Sequence, residues 1–238
     1  PDDKVKAFIC TQDLKNEGYI NDHFVIMCTK KGQVKKTSLE QYSRPRSNGI
    51  NAITVKEDDE LLEAKLTNGN SQILIAVKSG KCIRFEENKT RPMGRNASGV
   101  RGVRLKDQKD EVVGMISVND MDSDILVVSE NGYGKRSKLE DYRITNRGGK
   151  GVKTISITEK TGNLVSLKNV SDGDDLMIIN KSGIAIRMEV NTLRVMGRAT
   201  QGVRLINIKN NDSIAAVAKV VLDDQEVTDI EEIDVVED

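Results

Sequence analysis

The sequence predicts an all-β fold built from propeller-like blades, and three observations predict it. A glycine closing an apolar run recurs as Gly32, Gly80, Gly132 and Gly183, at spacings of 48, 52 and 51 residues. Within each period, short runs rich in Val and Ile alternate with clusters of Gly, Asn and Ser, the pattern of strands and turns rather than of helices. Four such runs fit into one period, so the period reads as one four-stranded blade, which cannot bury its apolar face without a neighbour.

The elements follow in chain order. Lys4-Val-Lys-Ala-Phe-Ile-Cys matches the end of a repeat, as in Glu111-Val-Val-Gly-Met-Ile-Ser, so residues 1–22 are expected to be the end of a preceding truncated blade in a fragment of a longer protein. Four blades are expected over about 23–70, 71–122, 123–173 and 174–221. In the third, the strands are placed at Asp124 to Ser129, Tyr133 to Lys138, Val152 to Thr158 and Leu164 to Val170. Asn131-Gly132 predicts a tight primed hairpin, because both residues tolerate positive φ. Residues 222–238 close the chain as an acidic tail, expected to be disordered and solubilising.

Charge is more informative in its distribution than in its sum. Lysine plus arginine and aspartate plus glutamate both number 37. Residues 223–238 hold nine acidic and no basic side chains, which leaves the first 220 residues with 37 basic against 28 acidic groups, a net charge of +9. The basic residues fall in columns. Four places after each turn glycine stand Lys36, Arg84, Arg136 and Arg187, and eleven and fifteen places on stand the pairs Arg91 and Arg95, Arg143 and Arg147, and Arg194 and Arg198. The first repeat, two residues shorter, offers Arg44 and Arg46. A second glycine closes the loop at Gly49, Gly99, Gly151 and Gly202; Arg101 and Arg204 lie just beyond it, and Lys150 just before it.

Phe85 and Met188 stand one place after the fourth-place residue, so alternation along a strand predicts that the fourth-place charge points to solvent. The loop arginines are expected along one edge of every blade. A curved, evenly basic rim suits duplex DNA, whose phosphates give sequence-independent affinity through counterion release, and blades around an axis would bend the duplex. Single strands fit less well, because stacking platforms need aromatics and the chain has no Trp, four Tyr and three Phe. Tyr42 and Tyr142 precede the loops in matching positions and read as packing residues.

Other chemistry finds little support. Asn146-Arg-Gly-Gly-Lys-Gly-Val-Lys lacks the ending of a nucleotide-binding loop and leads into a strand. His23 is the only histidine, no cysteine and histidine cluster has metal-ligand spacing, and the carboxylates of 57–60 and 172–175 read as solvated turns. Cys10, Cys28 and Cys82 suit a reducing cytosol. No apolar stretch reaches the roughly 20 residues that cross a bilayer.

Gly32-Gln-Val-Lys-Lys-Thr, Arg91-Pro-Met-Gly-Arg-Asn-Ala-Ser-Gly-Val-Arg-Gly-Val-Arg-Leu, Asn131-Gly-Tyr-Gly-Lys-Arg-Ser and Met196-Gly-Arg-Ala-Thr-Gln-Gly-Val resemble the carboxy-terminal domain of bacterial DNA gyrase A subunits, over essentially residues 1 to 220. The resemblance implies a β-pinwheel, a propeller-like disc whose blades exchange strands and whose basic perimeter wraps double-stranded DNA. It implies a cytoplasmic, nucleoid-associated role beside the B subunit, together with the rest of the A subunit, in a type IIA topoisomerase that introduces negative supercoils. The cleaving tyrosine, ATP and Mg2+ belong elsewhere in that holoenzyme; no cofactor, metal or catalytic centre is expected here, and the fragment is expected to be monomeric. The family marks its first of six blades with a QRRGGxG box. Thr145-Asn146-Arg147-Gly148-Gly149-Lys150-Gly151 keeps only part of that pattern and lies in the third repeat. The alternative is therefore the related topoisomerase IV A subunit. A protein-interaction propeller is the reading from a different class.

Overall fold

A computed structural model describes residues 4–208 and 212–221; the acidic segment 222–238 and the first three residues lie outside the described residues. The first repeat forms β1 (Phe24–Thr29), β2 (Gln33–Ser38) and β3 (Leu61–Thr67). The second forms β4 (Gln72–Val77), β5 (Lys81–Glu86), β6 (Val100–Arg101) and β7 (Val112–Val118). The third supplies β8 (Asp124–Ser129), β9 (Tyr133–Lys138), β10 (Val152–Lys153) and β11 (Leu164–Val170), and the fourth β12 (Asp174–Asn180), β13 (Ala185–Glu189), β14 (Val203–Arg204) and β15 (Ile214–Val221). The protein is an all-β pinwheel of four antiparallel blades.

The blades are not the repeats. Their strand orders are β3-β1-β2-β6, β7-β4-β5-β10, β11-β8-β9-β14 and β15-β12-β13. Each repeat builds three strands of its own sheet, and the loops of the second, third and fourth repeats cross to become the outermost strand of the preceding one. Val100 pairs with Val34, Val152 with Cys82 and Val203 with Gly134. The strand expected over Val152 to Thr158 therefore shortens to two residues and belongs to the second blade. Its length is set by the neighbour's edge rather than by its own apolar content.

The second glycine of each repeat permits this crossing. Gly99, Gly151 and Gly202 have φ between +69° and +86°, and a Cβ on each would lie 2.5 Å from the carbonyl oxygen of Val34, Cys82 or Gly134. The turn glycine has the complementary role. The carbonyls of Gly32, Gly80 and Gly132 accept the amides of Gly102, Thr154 and Leu205 at 2.8–2.9 Å. The hairpin itself differs from the expected primed turn. Asn131 keeps negative φ, Gly132 alone is left-handed, and the Gly132 amide donates to Ser129 O at 3.0 Å. This is a three-residue connection that needs one glycine, not two permissive residues.

Sheet faces explain the continuous apolar runs. In β4, Ile73 and Ile75 pack with Ile26, Cys28 and Val34 of the first blade, while Leu74 and Ala76 pack with Ile125 and Val127 of the third. Alternate side chains thus enter two different cores, and both faces of the central strand are dry. Burial of one such Leu or Ile is worth about 1.5–3 kcal/mol. Leu126 and Val128 pack with Leu176 and Ile178 in the third interblade core. Cys28 and Cys82 belong to these cores, and burial pushes both thiols up, away from reactivity. Cys10 is exposed.

β3, β7, β11 and β15 pack successively against one another, which places them nearest the axis and the crossing strands at the perimeter. The segment expected to end a preceding blade forms no strand: Lys4–Cys10 is largely exposed, with Val5 and Phe8 above four-fifths accessible. Its Ala7 and Ile9 instead pack against the core of the first blade. A short helix, α1 (Glu17–Asp22), capped by the Asn16 side chain, follows it and packs Ile20 against the first blade.

Gly151→Ala is expected to lose about 1–3 kcal/mol of stability from left-handed strain alone, and more from the contact with Cys82 O. Gly183→Ala has the same strain and an open surrounding. Urea denaturation of the two variants should show the larger loss at position 151, and equal losses would mean that the close crossing contributes nothing.

Candidate nucleic-acid interface

The basic columns divide into three structural classes. The fourth-place column is not a solvent-facing rim, contrary to the expectation from strand alternation. Lys36 is 4% exposed and Arg84 and Arg136 are each 8% exposed, because the face opposite the core residue is covered by the next blade. Lys36 Nζ lies 2.8 Å from Glu87 Oε1 of the second blade and 4.0 Å from the Phe24 ring centroid. Glu87, fully buried, also accepts Thr67 Oγ1 at 2.7 Å and the Ser71 amide at 3.2 Å. Arg84 donates to Leu139 O at 2.7 Å and Tyr142 O at 2.9 Å in the third repeat, and also to the Gln72 side chain. Arg136 pairs with Asp172 at 2.5 Å, in the link to the fourth blade. These cations hold blades together. Arg187, on the outer strand of the last sheet, is exposed and pairs within its own blade, with Asp175 at 2.6 Å.

The fifteenth-place arginines are half-buried clamps. Arg147 donates to Lys89 O at 2.9 Å and Arg101 O at 3.1 Å, and Arg198 to Asp141 O at 2.9 Å and Lys153 O at 2.7 Å. Arg95 reaches Asn51 O at 3.3 Å. Each ties its own crossing loop to backbone of the preceding repeat.

The third class remains open to solvent. Arg91, Arg143 and Arg194 are exposed, and each directly precedes a residue bridged to the fourth-place backbone of the previous blade: Pro92 to Lys36, Ile144 to Arg84 and Val195 to Arg136. Ten residues further on, Arg101, Lys153 and Arg204 are exposed on β6, β10 and β14. The first three blades therefore each carry two exposed cations along the outer edge: Arg91 with Arg101, Arg143 with Lys153, Arg194 with Arg204. Lys153 escapes sequence reasoning, although its offset from Gly151 equals that of Arg101 from Gly99. Arg204 is oriented by the Tyr133 hydroxyl, 2.9 Å from Nη2, and that guanidinium lowers the phenol's pKa. Lys150 is exposed beside Lys81, Arg104 and Lys106. Arg44 and Arg46 are exposed and line a groove of about 1030 Å³ with Arg95.

Two further cations, missed in the sequence, sit under the loops. Lys35 and Lys135 are fully buried at the third place. Lys35 Nζ donates to Ala52 O at 2.6 Å and to Arg95 O, and Lys135 Nζ to Gly197 O at 2.6 Å, so each holds a Met-Gly-Arg turn of a later repeat. Burial lowers both ammonium groups to about 8. The tyrosines are packing residues: Tyr142 is fully buried with its hydroxyl 2.5 Å from Thr154 Oγ1, and Tyr42 donates to Ala52 O at 3.0 Å. His23 has a structural role too, its Nδ1 lying 2.7 Å from Tyr19 O.

The family described as DNA gyrase C-terminal domain, beta-propeller, matches residues 23–68, 72–119, 123–171 and 174–220. The A subunit of DNA gyrase from Staphylococcus aureus strain MRSA252 is 44% identical over all of this chain, which spans 26% of that protein's length. The same protein from strain NCTC 8325 is 44% identical over 97% of the chain, again spanning 26% of its length. Among solved structures, the C-terminal domain of DNA topoisomerase IV superposes with a TM-score of 0.79 at 24% identity, covering 84% of this chain and 62% of that one. The DNA gyrase A C-terminal domain superposes with a TM-score of 0.76 at 25% identity, covering 84% and 67%.

Two outcomes test the division of the cations. Glu87→Ala leaves the Lys36 ammonium buried without its carboxylate and should lower stability in urea by about 3–5 kcal/mol; a loss under about 1 kcal/mol, the range of an exposed ion pair, would return Lys36 to the surface class. Lys135 has a folded pKa near 8 against an ordinary value near 10.4, so between those values the unfolded chain binds more protons and stability rises with pH. Relative to Lys135→Met, the native chain should therefore gain up to roughly 1 kcal/mol per pH unit from pH 8 to 10. A difference independent of pH would place that ammonium in water.

Proposed function

We propose that this chain, which belongs to the DNA gyrase C-terminal domain family, binds duplex DNA along the outer edges of its blades and bends it. The observation that carries the reading is the repeated pair of exposed cations along the outer edge of each of the first three blades, Arg91 with Arg101, Arg143 with Lys153 and Arg194 with Arg204. The net charge of +9 over the first 220 residues supports a polyanionic partner. Side chains set on successive strands at a perimeter meet a backbone, not a base edge, so the contacts position DNA without selecting sequence. Bending 20–30 base pairs costs on the order of 1–6 kcal/mol, an amount that several distributed phosphate contacts offset.

Similarity to gyrase A subunits along the whole of this chain supports a place in the gyrase holoenzyme. Its partners there would be the remainder of the A subunit, plus the B subunit. Within the holoenzyme the bent duplex would be presented for strand passage and negative supercoiling. The chain's own residues supply the track; cleavage and ATP hydrolysis, with Mg2+, belong to parts of the holoenzyme outside it. The buried fourth-place cations contribute indirectly, by fixing the angle between neighbouring edges.

Replacing Arg91, Arg143 and Arg194 together by Gln should weaken binding to unrelated duplexes equally. The dependence of log affinity on log salt should flatten by about 0.9 for each phosphate no longer neutralised, with the urea midpoint unchanged. Undiminished affinity and an unaltered salt slope in this folded variant would refute the edge assignment.

A further inference from the structure

A fourth basic column lies away from the perimeter. On the axial strands, Lys65 pairs with Ile26, Ile116 with Leu74, Lys168 with Leu126 and Lys219 with Leu176. Ile26, Leu74, Leu126 and Leu176 occupy one equivalent place in the four blades. Lysine therefore stands at the same axial level in three blades and isoleucine in the other.

All four inner strands contribute to a cavity of about 460 Å³, and Lys65, Lys168 and Lys219 line it. Glu63 is the one carboxylate among its described lining residues, and it is already engaged: its Oε2 accepts the Met115 amide at 2.6 Å and its Oε1 lies 3.7 Å from Lys65 Nζ. Lys219 is 3.3 Å from Asp174 Oδ2. Lys168 forms no ion pair among the described residues, and burial, with a smaller opposing effect of Glu63 and a repulsion from Lys65, pushes its ammonium below the ordinary lysine range. A partly desolvated cation beside the like charge of Lys65 and one occupied carboxylate is short of negative charge.

We propose that the axial cavity is a second anion site, separate from the DNA edge, which takes a small phosphorylated anion of about triphosphate size through Lys65, Lys168 and Lys219. The cavity is too small for a duplex roughly 20 Å across, whereas three flexible point charges arranged around an axis suit phosphate oxygens presented in several directions. Ile116 closes the fourth side with an apolar wall, giving the site an asymmetry that the perimeter lacks.

Titration calorimetry of the 238-residue chain with inorganic tripolyphosphate, at ionic strength held constant with sulfate-free buffer, tests this. One-to-one binding is expected, weakened about tenfold or more by Lys168→Gln, a change of about 1.4 kcal/mol. Lys168→Arg should retain binding, and Lys109→Gln, at an exposed lysine between β6 and β7 that does not line the cavity, should leave it unaltered. If Lys168→Gln does not fold, the Lys65→Gln, Lys219→Gln double variant, both at partly exposed positions, should show the same loss. Duplex DNA affinity should be the same in all these variants. Absence of tripolyphosphate binding to the native chain, or equal binding to the native and Lys168→Gln or double-variant proteins, would overturn the proposal.

Discussion

The backbone of one repeat supplies three adjacent strands, and the outer edge of such a sheet leaves a row of amides and carbonyls that only another strand can pair without water. In the first three blades the next repeat supplies it. Val100, Val152 and Val203 close those edges, and the closure fixes where everything else in the loop must go. The residue before the parallel bridge is thrown outward, the residue four places later turns back to clamp the preceding repeat, and the residue beyond the closing glycine emerges on the new outer strand. The exposed edge cations are consequences of backbone pairing, whatever they bind.

Stacking of sheets adds the second constraint. Because both faces of β4 and β8 are covered, a side chain directed away from one core enters the next interface, and a charge there must bring its own partner. The solutions differ among blades. Lys36 meets a buried carboxylate, Arg84 satisfies two carbonyls at the end of a 3₁₀ turn, and Arg136 reaches an aspartate in the connection to the fourth blade. A common cation with three different partners indicates that its position is dictated by geometry, while the compensating group is whatever the neighbouring turn can place there.

Much of this was legible in the chain. Strands such as Asp124–Ser129, Tyr133–Lys138 and Leu164–Val170 fall where apolar runs and turn glycines put them, since those signals are local. The crossing of Val152–Lys153 to another blade was not readable from spacing, because pairing partners are non-local, and it came only through the family resemblance. The burial of Arg84 follows from the two-sided burial of β4, for which Ile73-Leu-Ile-Ala-Val gave a signal: an unbroken apolar run belongs to a strand without a wet face. Lys153 could have been found by extending the column of Arg101 and Arg204. The axial lysines were harder, because Ile116 interrupts their column and only strand register aligns Lys65 with Lys168.

The third-place residue has a consequence for how such an array can be rearranged. Lys35 and Lys135 hold Met-Gly-Arg turns, whereas Ile83 lies beside Gly149 of the Thr-Asn-Arg-Gly-Gly turn, with the nearest Ile83 carbon 3.4 Å from where a Cβ on that glycine would be. Docking site and incoming loop are therefore matched across the boundary between repeats rather than within one. Excising the second repeat at its glycines would preserve the period yet seat a glycine-rich turn over Lys35, whose ammonium would lose the Arg95 carbonyl and keep only that of Ala52 in its own repeat. The unit that can be exchanged intact is the junction, half of one repeat with half of the next, and blade order is written in these junctions.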